Sequence, residues 1–386
     1  MDQNSKNTYI AVGLSLIVII LWQVLYVTPK LREEEERQRL EQQQAQVEQA
    51  QQPGRPGATA PSGTTAGAPQ PATGATGVPQ PTAGAVAPTP SLGLGVERDA
   101  VLTKAPRVLI ETPSLKGSIS LRGGRIDDLI LTKHQVTADE TSDNVTLLSP
   151  AGSAAPFYAE YGWSKLANDT TNLPTASTVW TLESGEKLTE TSPVTLSWDN
   201  GSGLTFRKII SLDEHYMFTV RREIINAGSG SATLYPYGLI SRHGTPRTEG
   251  IWVLHEGLIG VLGEEGLQEI DYSDLQGGPA QTFSNTQRGW LGITDKYWAA
   301  VLVPDQTKTF QANFKGTRQA GTDYYQTDYL GDPIAVAPGQ TASVESKLFA
   351  GAKRVTLIDN YEQADNIEKF ELLIDWGWFY FITKPL

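Results

Sequence analysis

Residues 9–27 read Tyr-Ile-Ala-Val-Gly-Leu-Ser-Leu-Ile-Val-Ile-Ile-Leu-Trp-Gln-Val-Leu-Tyr-Val, nineteen positions without a charge. No water-soluble domain easily accommodates such a run, so it constrains everything that follows. As a helix at ~1.5 Å per residue it is about 28 Å long, close to the ~30 Å hydrocarbon thickness of a bilayer. Twelve of the nineteen are Ile, Leu or Val. Each contributes roughly −0.3 to −0.6 kcal/mol on insertion, so the span is strongly favoured. Gln23 is the one costly residue, and it lies near the outer end beside Trp22 and Tyr26. A cleaved signal peptide is the rival reading. The length of the run, the single Lys6 ahead of it and the lack of a small-x-small cleavage site favour an uncleaved transmembrane helix over 9–27.

Residues 1–8 form a short amino-terminal stub. Residues 28–52 are charged and then glutamine-rich, a polar stalk able to turn helical but with no apolar face to hold it to a core. Residues 53–100 are dominated by Pro, Gly, Ala and Thr. Their low apolar content cannot offset ordering entropy, so a disordered linker is expected. About forty such residues have a typical span of ~35 Å, enough to free a following domain from its anchor. Lys30, Arg32, Arg37 and Arg39 follow the span while only Lys6 precedes it. Charge bias alone would therefore put the following segment in the cytoplasm.

Residues 101–361 carry strand signals. Val108–Thr112, Gly117–Leu121 and Ile126–Thr132 are short β-rich runs punctuated by Pro113 and Gly123-Gly124. Val194–Trp198 and Leu204–Ile210 flank Asp199-Asn-Gly-Ser-Gly203, a hairpin turn rich in residues that tolerate positive φ. Phe218, Val220 and Ile224 alternate with Thr219, Arg221 and Glu223, and further runs follow at Ala232–Tyr237, Tyr297–Val303 and Ala342–Phe349. Short strands between glycine-rich turns predict an all-β sandwich.

The charge of −12 argues against nucleic acid as a partner, because phosphate binding needs a basic face. The absence of cysteine excludes disulfides, thiol nucleophiles and cysteine-ligated metals. His243 and His255, with Glu264 and Glu265 close by, are the only residues spaced for acid–base work, and the spacing is unspecific. Asp271, Asp274 and Asp295 lack the alternating-oxygen pattern of a calcium loop. No catalytic, cofactor-binding or metal-ligating residue is assigned, and the chain is not expected to be an enzyme. Trp290, Tyr297 and Trp298 flank a turn at Asp295-Lys296. They read either as core aromatics of two paired strands or as a cleft for an extended peptide.

From Thr356 the pattern turns helical, and residues 362–386 are predicted to lead into an amphipathic segment. Ile367, Phe370, Ile374, Trp378 and Phe381 recur at three- and four-residue steps. Phe370, Ile374, Trp376, Trp378, Tyr380 and Phe381 are the expected membrane-interface residues, since amphipathic rings suit the headgroup layer. A terminal helix packed on a soluble core is the alternative.

Four stretches resemble the YidC/Oxa/Alb family of membrane insertases, in the same order along the chain. They are the apolar run 9–27, Gly289-Trp-Leu-Gly-Ile-Thr-Asp-Lys-Tyr-Trp-Ala-Ala-Val-Leu-Val-Pro-Asp-Gln306, Leu348-Phe-Ala-Gly-Ala-Lys353, and Asp375-Trp-Gly-Trp-Phe-Tyr-Phe-Ile-Thr-Lys-Pro-Leu386. The resemblance implies a β-supersandwich like that of galactose mutarotase and carbohydrate-binding relatives, placed in the periplasm. It implies a bacterial inner-membrane protein with a cytoplasmic amino terminus, against the charge bias. The activity implied is insertion and folding of membrane proteins without covalent chemistry. Its implied partners are the lipid bilayer, nascent membrane proteins and the Sec translocon (SecYEG, SecD/SecF). The family works through a groove in a membrane core, and on this resemblance the chain is expected to stop ahead of that core. The competing readings are a complete, membrane-anchored carbohydrate-binding or mutarotase-like protein, and a purely structural spacer.

Overall fold

The computed structural model describes residues 97–377, apart from 138, 140 and 249–253. The expected transmembrane helix, stalk and most of the linker lie outside the described residues, as do Trp378, Tyr380 and Phe381. Among the described residues no helix is long and apolar enough to cross a membrane.

A short helix, α1 (Arg98–Leu102), leads into twenty strands. In chain order these are β1 (Arg107–Glu111), β2 (Leu115–Ser120), β3 (Arg125–Gln135), β4 (Asn144–Leu148), β5 (Phe157–Ser164), β6 (Thr181–Ser184) and β7 (Lys187–Leu188). Next come β8 (Val194–Asp199), β9 (Leu204–Leu212), β10 (Met217–Asn226), β11 (Ala232–His243), β12 (Gly257–Leu262), β13 (Leu267–Asp271) and β14 (Gln281–Gln287). The last are β15 (Gly289–Thr294), β16 (Trp298–Val303), β17 (Thr309–Gln319), β18 (Thr322–Gly331), β19 (Ile334–Val336) and β20 (Thr341–Ala352). A carboxyl-terminal helix, α2 (Val355–Ala364), follows.

The strands form two large sheets, the all-β sandwich that the strand pattern predicts, with sheets as large as the family resemblance implies. The first sheet has eleven strands in the order β14-β17-β18-β11-β5-β3-β2-β1-β7, with β4 beside β3 and β19 beside β11. The second has nine, in the order β13-β12-β15-β16-β20-β10-β9-β8-β6. Among the described residues the pairing between strands is antiparallel except where β7 lies parallel to β1. The Asp199–Gly203 turn closes the β8–β9 hairpin, with Gly201 and Gly203 at φ 71 and 92. Asn200 Oδ1 accepts from the amides of Ser202 and Leu204, at 2.8 and 3.0 Å, and so fixes the turn.

Inward-facing residues of both sheets join in one core. In β9, Leu204, Phe206, Lys208, Ile210 and Leu212 are buried, and the residues between them are partly exposed. All residues of β5, β12 and β15 are buried, because both faces of those strands are covered. The Gly289–Gln306 motif folds as the β15–β16 hairpin, and its first and last residues meet. Gln306 Oε1 accepts from Gly289 N at 3.0 Å, and Gln306 Nε2 donates to Gly289 O at 2.8 Å.

The carboxyl-terminal segment departs from the expected continuous helix. α2 stops at Ala364, and Asn366 and Lys369 adopt positive φ of 51 and 47. Phe370–Leu373 then make one 3-10 turn, and Ile374 is extended. Ile367, Phe370 and Leu373 fold back into the sandwich core, which therefore runs past the expected limit at residue 361. Phe370 is fully buried, edge-on to Trp290 at 5.5 Å and to Phe349 at 5.7 Å. Trp290 Nε1 donates to Glu368 O at 3.0 Å and pins the turn. Phe370 is thus a core residue, not one at a membrane surface. The three- and four-residue spacing marks an apolar side without fixing what covers it. Phe370→Ala should therefore destabilise the domain by ~3–5 kcal/mol, read as a lowered urea midpoint by tryptophan fluorescence. An unchanged midpoint would refute the core assignment.

A buried polar face on the eleven-stranded sheet

Along β5, Phe157, Ala159, Tyr161 and Trp163 join the main core, while Tyr158 and Glu160 point to the opposite face. Tyr158, Tyr237 and Leu239 make a second, smaller cluster there. Charged and polar groups surround it. Arg125 Nε donates to Glu160 Oε2 at 2.5 Å, and Tyr237 Oη donates to Glu160 Oε1 at 2.8 Å. The Arg125 guanidinium lies 4.6 Å from the Tyr158 ring centre. Further along the face, Lys315 pairs with the fully buried Asp328 at 2.8 Å, and Asn313 and Gln326 donate to the same carboxylate.

Burial by itself would raise the Glu160 pKa. The Arg125 charge, the hydrogen bonds and Lys208 outweigh it and hold the carboxyl below its ordinary range. Both oxygens of Glu160 are engaged, so it is a structural anion rather than a free base. His243 lies on the same face between the rings of Tyr158 at 5.6 Å and Tyr324 at 4.5 Å. Burial, with a lesser contribution from Arg125, pushes its pKa down to about 4, so the imidazole is neutral at pH 7. Its buried Nε2 has no hydrogen-bond partner among the described residues.

His255 sits elsewhere. Its Nδ1 is 3.4 Å from Asp271, its Nε2 is 3.0 Å from Leu258 O, and its amide donates to Asp375 Oδ2 at 2.9 Å. Glu264 and Glu265 are exposed on a 3-10 turn, and Asp295 pairs with Arg242 at 2.6 Å. His243 and His255 thus lie in two separate settings, and among the described residues no carboxylate is hydrogen-bonded to His243. The one histidine–carboxylate contact among these groups is therefore His255–Asp271, away from His243 and Glu160.

Of the three motif aromatics, Tyr297 and Trp298 meet edge-on at 5.8 Å while Trp290 lies apart from them. Trp290 is fully buried in the core, Tyr297 is 55% exposed at the hairpin tip, and Trp298 is half-buried against His134 at 5.3 Å. The tip shares one end of the domain with the last described residues. Lys353 N donates to Tyr297 O, Lys296 N donates to Glu256 Oε1, and Asp375 holds the adjacent His255 amide.

Sequence reading missed two interior cations. Arg222 falls in step with Phe218, Val220 and Ile224, and Lys208 with Phe206 and Ile210. A charge at an apolar parity position was the available signal.

Comparison with known proteins decides the relationship. A family model described as the YidC periplasmic domain matches residues 107–386. The chain belongs to the YidC family. "Membrane protein insertase YidC" of Methylobacterium radiotolerans is 44% identical over 401 residues, covering 100% of this chain and 61% of that protein. The protein of the same name from Bradyrhizobium diazoefficiens is 45% identical over 399 residues, again covering 100% and 61%. The chain thus spans about three-fifths of the length of these YidC relatives. Among solved structures, a galactose mutarotase related enzyme from Lactobacillus acidophilus aligns with a TM-score of 0.46 and 11% identity. That alignment covers 64% of this chain and 97% of the other.

The polar face of this YidC-family domain carries a pH signature. His243 binds a proton in the unfolded chain near pH 6.5 but in the fold only near pH 4. Its contribution to stability is therefore present above pH 6.5 and is lost as pH falls toward 4. The loss amounts to about 3 kcal/mol by linkage. His243→Phe should flatten that part of the stability–pH curve in urea titrations. A curve as steep as that of the parent would overturn the assignment.

Proposed function

We propose that the chain works within a membrane protein insertase of the bacterial inner membrane. The observation that carries this reading is the 44–45% identity along the whole chain to proteins named as such. In this reading residues 9–27 anchor the chain with its amino terminus in the cytoplasm, and the linker expected over 53–100, whose last residues join the helix that starts at Arg98, gives the β domain reach in the periplasm. The substrates are nascent membrane proteins, and the partners are the bilayer and the Sec translocon, including SecYEG and SecD/SecF. The insertase works by binding and by lowering the cost of transferring polar segments, not by covalent catalysis. The family match over residues 107–386 supports that role over a mutarotase-like one.

The interfacial segment begins after the fold-back turn. Ile374, expected at the interface, instead packs half-buried against the sandwich core, Trp376 is half-buried where the described chain ends, and Trp378, Tyr380 and Phe381 follow. Exposed Tyr297 shares this end of the domain, which supports orienting it toward the headgroups.

Two experiments test the reading. Depleting the protein from its own cells should block insertion of a small inner-membrane protein with a translocated loop, followed by protease protection. Unimpaired insertion would sink the insertase role. The chain has no native cysteine, so Trp378→Cys can carry a polarity-sensitive dye. Bromolipids in nanodiscs should quench that dye, and quenching only by an aqueous reagent would remove the interfacial assignment.

A further inference from the structure

Arg222 is fully buried between the sheets. Its Nη1 donates to Gly162 O at 3.0 Å and to Tyr237 O at 2.6 Å. Its Nη2 donates to Tyr329 Oη at 2.9 Å and to Ser346 Oγ at 2.8 Å. All four acceptors are neutral, and among the described residues no carboxylate is hydrogen-bonded to this guanidinium. Its Nε–H has no partner there either. The interior at this point thus carries a positive charge with no adjoining anion.

The hydrogens of the two hydroxyls can be counted. Tyr329 Oη and Ser346 Oγ lie 2.7 Å apart, so one of them donates to the other. Each oxygen also accepts from Arg222. Two O–H hydrogens serve a single O···O contact, and neither side chain has another hydrogen bond among the described residues. One polarised O–H is left to donate.

Both side chains line a pocket of about 190 Å³. It opens between the β16–β17 loop, the β18–β19 loop and β20. Its walls include Phe310, Pro333, Ile334 and Val344. An apolar cavity of ~150 Å³ accommodates a ring the size of benzene, so this one holds a branched four- or five-carbon group. At the mouth, Asp305 is engaged by Thr307 and Asp332 by the Thr309 hydroxyl, and Lys308 lies beside them.

We propose that this pocket binds a carboxylate carrying a short apolar tail. The carboxylate accepts the free hydroxyl hydrogen at the floor and supplies the anion that Arg222 lacks, and the tail lies against the proline-, phenylalanine- and valine-lined wall. Such a group could come from a free aliphatic acid or from the carboxyl terminus of an apolar peptide.

The test uses the full chain in nanodiscs. The ligands are 3-methylbutanoate, its alcohol 3-methylbutan-1-ol, acetyl-alanyl-leucine and acetyl-alanyl-leucinamide, each titrated by ligand-observed NMR. Saturable millimolar binding of 3-methylbutanoate is expected, with the alcohol at least ~10-fold weaker. Tyr329→Phe should weaken the acid at least ~10-fold. Ser343→Trp, at the exposed rim, should block it without altering the melting temperature. Tighter binding of the free-acid dipeptide than of its amide would identify peptide termini as the source. Binding of 3-methylbutanoate without the dipeptide would identify a small aliphatic acid. No saturation by either acid would overturn the proposal. So would equal binding of acid and alcohol, or binding unchanged in Ser343→Trp.

Discussion

The two sheets depend on one buried cation. Arg222 rises from β10 in the nine-stranded sheet and donates to backbone carbonyls of β5 and β11 in the eleven-stranded sheet. Tyr161 and Trp163 place their rings 5.3 and 5.7 Å from the guanidinium carbon. A charge taken from water costs several kcal/mol unless hydrogen bonds replace the lost hydration. Four oxygens and two ring faces supply that replacement, so Arg222 also fixes the register of one sheet over the other. Its cross-strand neighbour in β9 is Lys208, also inward-facing. Burial, opposed by Glu160 and aided by Arg222 and Arg125, lowers the lysine pKa to about 7. Like charges on adjacent strands repel, so Lys208 gives up its proton more readily than an exposed lysine. Lys208 Nζ still donates to Gly123 O and Gly124 O, at 3.0 and 3.2 Å, and ties the β2–β3 turn to the opposite sheet.

The same logic governs the polar face of the eleven-stranded sheet. Glu160 is costly to bury and is offset by Arg125 and Tyr237, while Asp328 is offset by Lys315, Asn313 and Gln326. Groups so fully engaged are poor acids and bases, because proton transfer would leave a partner unsatisfied. They hold the eleven-stranded sheet as a rigid body.

The fold-back turn fixes where the chain leaves the sandwich. Phe370 inserts between Trp290 and Phe349, so the chain leaves the sandwich from a fixed point rather than from a free helix. Tyr361 strengthens the attachment by donating to Asp213 at 2.5 Å and accepting from the Tyr216 amide. The hydrogen bonds of Asp375 to His255 and Gly377 then set the direction beside the Tyr297 hairpin.

Much of this was legible in the residues. The Asp199–Gly203 turn, the inward alternation of β9 and β10 and the β15–β16 hairpin follow from local rules of period and turn chemistry, which operate within a few residues. The quoted motifs carried the family for the same reason, since contiguous residues suffice to show it. Strands such as β5 and β12 were not read, because covering both faces erases the alternation that marks a strand. The site was less legible still. Arg125 and Glu160 are 35 positions apart and Arg222 and Ser346 are 124 apart, and no local pattern brings them together. Nor could spacing show that Phe370 turns inward while Trp376 stays half-buried at the exit. The sequence by itself determined which residues are apolar, where the chain turns and to which family it belongs. Only the tertiary structure decided what covers each apolar side and which oxygens meet each buried charge, because those partners arrive from distant strands when the two sheets close.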